Sequence, residues 1–155
     1  MSHFSITNDS IASRRFEALG KKAGLTLSHK IKSDVFSFFL YKKRRRKYKN
    51  IYTKTDSGNF AACTGVIIYK NQTGENALEQ IYHDFKAGQS VNTIKNHSLG
   101  HYSVVIKIDH IVYFWVDREE CFDLYYQVDS KSKIWSMSTS LSRIARSTNS
   151  KINKL

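Results

Sequence analysis

The sequence predicts an α+β domain whose sheets are antiparallel. Three observations lead there. Strand-length runs dense in Phe, Tyr, Val and Ile recur along the chain and crowd its last third. Two segments carry the apolar spacing of amphipathic helices. Strands and helices do not alternate as a parallel βαβ sheet requires. With 155 residues, 41% of them apolar, the chain has material for one hydrophobic core. Residues 1–146 read as a single domain and residues 147–155 as a polar, flexible tail.

The elements follow in order. His3–Thr7 alternates as a short strand. Residues 11–22 read as a helix: Asn8, Asp9 and Ser10 offer caps, Ile11, Phe16 and Leu19 an apolar face, and Gly20 or Gly24 a stop. Residues 34–43 (DVFSFFLYKK) form a strand, with residues 51–55 as its returning partner. Asp56-Ser57-Gly58-Asn59 is a turn. Residues 60–69 (FAACTGVIIY) run nearly unbroken in apolar residues, as a strand covered on both faces does. After the break at Asn71-Gln72-Thr73-Gly74, a helix starts near Glu75 with Ala77, Leu78, Ile81, Tyr82 and Phe85 on one face and Gly88 ending it. Residues 101–108 and 111–117 are two strands joined tightly at Asp109-His110. Residues 124–128 and 134–138 add two more, and residues 140–146 a last helical turn. There is no internal repeat.

Composition excludes several classes. No apolar run approaches the roughly 18–20 residues that cross a bilayer, and the polar start MSHFSITNDS is unlike a secretory signal. The cytoplasm is the expected compartment, with no membrane contact. Cys63 and Cys121 are too few for a disulfide framework or a metal cluster. The six histidines lack metal-ligand spacing apart from His97 and His101, which a strand start separates, so no metal is expected. No phosphate-cradling glycine loop occurs, and no cofactor is expected.

The charge is the strongest compositional signal. Twenty-five basic against 13 acidic residues give +12. Lys42, Lys43, Arg44, Arg45, Arg46, Lys47 and Lys49 place seven positive charges in eight positions. Such a cluster is either a solvated loop or a site for nucleic acid or another polyanion, held by counterion release. Tyr41, Tyr48 and Tyr52 would then be the stacking partners. Arg143, Arg146, Lys151 and Lys154 make a second basic stretch.

From Leu99 onward the order of motifs is more specific. Gly100 and Tyr102 open a strand, a hairpin leads to Asp117-Arg118, and Leu124-Tyr125-Tyr126 follows. A turn and a strand with Trp135 and Ser138 then run into Leu141. Read together, residues 60–146 resemble the second half of a class II glutamine amidotransferase domain, as in asparagine-synthetase-like proteins. Glu120 stands where that family has Gly, and Asp123 where it has Pro. The resemblance implies an N-terminal-nucleophile hydrolase fold, an αββα sandwich of two packed antiparallel sheets with flanking helices.

The resemblance also implies a chemistry, and the residues depart from it. The family's nucleophile is an N-terminal Cys activated by its own amine. This chain begins Met1-Ser2-His3, so Ser2 is a nucleophile candidate only if Met1 is removed. The family's oxyanion hole is an Asn-Gly pair; Thr64-Gly65 stands in its place, a degenerate site that keeps the Gly and loses the amide. Glu75 is nearest in position to the carboxylate that holds the substrate amine. Within these 155 residues no ATP-pyrophosphatase domain is expected, and so no synthetase chemistry. A non-catalytic binding or scaffolding domain with a protein partner, such as an asparagine-synthetase-like protein, is therefore the first reading. A residual amidotransferase or amide hydrolase and a nucleic-acid or polyanion binder are the alternatives.

Overall fold

The computed structural model describes residues 2–33, 35–42, 49–54, 57–147 and 153–154, the last pair in backbone alone. In chain order the elements begin β1 (His3–Thr7), α1 (Ser10–Lys22), β2 (Thr26–Lys32), β3 (Ser37–Lys42), β4 (Ile51–Lys54) and β5 (Asn59–Gly65). They continue with β6 (Ile68–Tyr69), β7 (Gln72–Thr73), α2 (Gly74–Lys86), α3 (Val91–Asn96), β8 (Ser98–Leu99) and β9 (Tyr102–Ile108). The order ends with β10 (Ile111–Val116), β11 (Tyr125–Asp129), β12 (Ile134–Ser138), α4 (Leu141–Ser147) and β13 (Asn153–Lys154). The described residues form a mixed α+β protein with three antiparallel sheets and four helices. Among them no helix is long and apolar enough to cross a membrane. Two compact units arise, one from residues 1–46 with 123–155 and the other from residues 47–122.

The first unit holds a six-stranded sheet in the order β13-β11-β12-β1-β3-β2. β1 sits inside it, pairing β12 on one side and β3 on the other. Alternation along β1 sends Ser5 and Thr7 to one face, where they meet hydroxyls of β12: Ser5 with Ser138 at 3.0 Å and Thr7 with Ser136 at 2.7 Å. Buried hydroxyls thus satisfy one another in pairs. Asp9 caps α1, its carboxylate accepting from the Ile11 N–H at 2.8 Å. The helix buries Ala12, Phe16 and Gly20, every fourth residue, so its core stripe runs through Ala12. The expected face member Ile11 is one position off that stripe and is 51% exposed. Ala12 and Phe16 pack with Phe39 and Tyr41 of β3. At Gly20 a Cβ would collide with the Tyr41 ring, so only a glycine lets the helix lie this close.

Two expectations change in this unit. β3 pairs β1 and β2, and β4 pairs β5, so residues 51–55 are not the returning partner of residues 34–43. β2 takes that place; its sequence TLSHKIK is polar because it is an edge strand, with a register shift between Leu27 and His29. Lys43, Arg44, Arg45, Arg46, Lys47 and Tyr48 lie outside the described residues, as do Asp34, Asp56 and Lys151. Most of the expected tail does too; Asn153–Lys154 pairs with Tyr125 and Tyr126 of β11.

The second unit holds a four-stranded sheet, β10-β9-β5-β4, and a small one, β7-β6-β8. β5 is buried at every position, as its apolar run requires. That run is two strands, however. Gly65 takes φ +83° and turns the chain, so Ile68–Tyr69 joins the small sheet. Lys70 and Asn71, both at positive φ, then make the two-residue turn between β6 and β7. α2 lays Ala77, Leu78, Ile81 and Tyr82 into a core with Val104 and Ile106 of β9. It ends at Gly88, φ +95°, with the Gln89 N–H reaching Asp84 O at 3.0 Å. β9 and β10 form the expected antiparallel hairpin. Asp109 adopts φ +53° in place of a glycine there, and its N–H donates to Asn59 Oδ1 at 2.8 Å.

Candidate functional site

The residues singled out in the second unit gather where β5 leaves its sheet beside the start of β9. Thr64 pairs Ser103 and Gly65 pairs Tyr102 across the two strands. The register places the Thr64 and Ser103 hydroxyls 2.7 Å apart, both residues being fully buried. An oxyanion hole needs donors aimed at open space, where charge develops. The Thr64 hydroxyl is buried against Ser103 and has no such opening.

The backbone around it is set by two glycines. At Gly65 a Cβ would strike the His101 carbonyl and come within 2.8 Å of the Phe122 ring. At Gly100, φ +101°, it would strike the Val66 carbonyl. The Val66 N–H donates to His101 O at 2.9 Å, and Asn50 Nδ2 donates to the Gly65 carbonyl at 3.2 Å. The tight turn expected at Gly65 is thus present, packed against the strand start at Gly100.

Asp117 anchors the far side of this cluster. It is 1% exposed, and its carboxylate accepts from three backbone N–H groups. Tyr102 donates at 3.1 Å, Glu119 at 2.9 Å and Cys121 at 3.2 Å. Its own N–H donates to Tyr102 O at 2.9 Å. Asp117 therefore ties the loop of residues 117–121 to β9, and Glu120 at φ +52° completes the turn. Arg118 points to solvent.

His101, Asp117 and Cys121 bring one ligand-type atom each to within 4.8 Å of one another. Sequence spacing missed this grouping because His101 belongs to a strand start and the other two to a loop. Asp117 spends one oxygen on the loop N–H groups of Glu119 and Cys121 and the other on the N–H of Tyr102 in β9, which explains the grouping without an ion. Desolvation, with the nearby Asp117 and Glu119 charges, raises the pKa of the Cys121 thiol above its ordinary value. That opposes the thiolate a nucleophile would need. Cys63 is buried.

The remaining candidates are scattered. In the first unit Ser2 is buried, at 1% exposure, and Met1 lies outside the described residues. Leu124 is buried, Tyr125 donates its hydroxyl to Asp123 Oδ2 at 2.7 Å, and Tyr126 is half-buried. Leu124 directly precedes β11, and Tyr125 and Tyr126 open it, paired with Ser138 and Met137 of β12. Tyr41 is 1% exposed with its hydroxyl donating to Phe16 O at 2.8 Å, so it is not a stacking platform for bases. Lys42 closes β3, half-buried. In the second unit Lys49 is exposed and pairs with Glu75, and Tyr52 packs on Tyr82 at 5.4 Å. Glu75 thus faces a lysine of its own chain.

Comparison with protein-family models gives no match, and comparison with curated proteins gives none.

Proposed function

We propose that this chain is a glutamine-amidotransferase-like domain of the N-terminal-nucleophile type that binds without hydrolysing. It acts as a binding or scaffolding module for a protein partner of the asparagine-synthetase-like class. The observation that carries this reading is the Thr64–Ser103 contact. Where the resembled family presents an amide to a developing oxyanion, this chain turns a hydroxyl inward and bonds it to the neighbouring strand. Gly65 keeps the turn, and the chemistry-bearing group beside it has become part of the core. The retained glycines and the Asp117 anchor support the same reading, because they preserve a shaped surface rather than a reaction.

The test is a glutaminase assay on the purified chain, run beside a binding titration. Glutamate release should stay at background. The chain should form a saturable complex with an asparagine-synthetase-like synthetase domain in sedimentation. Glutamate formation that disappears in Ser2→Ala would overturn the reading in favour of a residual hydrolase.

A further inference from the structure

The first unit contains an open cavity of about 410 Å³ between the C-terminal end of α1 and helix α4. Its wall carries Lys22, Arg143, Arg146, Ser140 and Ser142, with Leu19 and Leu25 as an apolar side. No acidic residue lines it among the described residues. Three cations facing one hollow repel each other unless something negative sits between them.

Arg143 makes the requirement sharper. It is 4% exposed, and neither terminal guanidinium nitrogen has a hydrogen-bond partner among the described residues. Its one described support is the Tyr41 ring, whose centroid lies 4.1 Å from the guanidinium carbon. A ring face balances part of the charge but accepts none of the four N–H bonds on those two nitrogens. Leaving a buried charge without hydrogen bonds is among the costliest arrangements in a protein interior. Glu17, whose field reaches the Tyr41 phenol, is already committed to Lys30 at 2.7 Å. The protein therefore holds a buried guanidinium, stacked on Tyr41 and without a described acceptor, in the wall of a cavity whose described lining carries no carboxylate.

We propose that this cavity is a binding site for a phosphate group, with Arg143 as its central ligand and Lys22, Arg146 and the Ser140 and Ser142 hydroxyls around it. A planar guanidinium matches two phosphate oxygens at once, and the flanking cations and hydroxyls suit a dianion's remaining oxygens. The apolar wall at Leu19 and Leu25 can take the non-polar part of a phosphomonoester. The volume falls in the range of small-molecule sites. This site is independent of the Thr64–Gly65 cluster and of the function proposed for it.

The full chain is titrated with inorganic phosphate and with phenyl phosphate, ionic strength being held constant with chloride. Binding is read by calorimetry and by the rise in melting temperature. Saturable binding of at least one is expected. Tighter binding of phenyl phosphate supports a phosphomonoester as occupant, and equal binding supports free phosphate. Arg143→Gln should weaken binding by about tenfold or more, the loss of one charge-assisted pair. Arg143 is buried, so the exposed pair Lys22→Ser with Arg146→Ser tests the site separately, with a further weakening of about tenfold expected. No saturable response to either ligand overturns the proposal. So does binding that survives undiminished in the Lys22→Ser, Arg146→Ser chain.

Discussion

A single carboxylate, that of Asp117, holds three backbone N–H groups and so fixes where the chain goes after β10. Removing it would strand the buried Tyr102 N–H and release the loop N–H groups of Glu119 and Cys121. Hydrogen bonds to a charged group count for more than neutral ones, so Asp117→Ala is expected to destabilise the protein by about 3 kcal/mol in urea unfolding. Asp117→Asn, which keeps one acceptor oxygen, should lose less. Equal stability of all three proteins would show that the loop is held from elsewhere. The Thr64–Ser103 pair works at the same scale with the opposite consequence: two hydroxyls buried against each other between paired strands offer nothing to a substrate. Whether a polar residue serves chemistry or packing is decided by where its hydrogen bond goes.

Among the elements, α1 is seated by the one residue that is a poor helix former. Gly20 costs about 1 kcal/mol against Ala in a helix interior. It is tolerated because its Cα rests on the Tyr41 ring. That ring cannot easily give way, since its hydroxyl is bonded to Phe16 O and Arg143 stacks on it. Gly20→Ala should therefore lower the melting temperature, equivalent to about 1–3 kcal/mol of overpacking, despite its better propensity. A gain in stability would mean that the ring has room to move. The elements with long periodic patterns were legible in the sequence: α1, α2, the β9–β10 hairpin and the β11–β12 pair. β2 was not, because an exposed edge strand needs polar residues and reads as a loop. The single turn and a half of α3 is too short for a period to register. At the candidate site, Gly65 and Asp117 could be named from their motifs. Ser103 could not, because its role depends on the register between β5 and β9. The burial of Arg143 was equally hidden, since an arginine in SLSRIARS reads as solvent-facing.

On the scale of the whole chain, the two units are made in an interrupted order. Residues 47–122 are contiguous, and their sheet joins two local pairings, β4–β5 and β9–β10, through β5 and β9, where Thr64 and Ser103 are 39 positions apart. The six-stranded sheet needs both ends, because Thr7 pairs Ser136 and Ser5 pairs Ser138. Closing so long a loop is slow compared with forming hairpins. In pulse-labelled hydrogen exchange during refolding, amides of β9 and β10 should gain protection before those of β1. The reverse order would place the nucleus in the first unit. The position of β1 between β3 and β12 has a consequence for synthesis. On the ribosome β1 is made long before β12, the strand that covers its second edge, since Thr7 and Trp135 are 128 positions apart. Until then the Ser5 and Thr7 hydroxyls and a row of backbone donors stand open to any extended neighbour. A stall before residue 134 would prolong that exposure, and the first casualty would be β1, captured by a strand from another nascent copy.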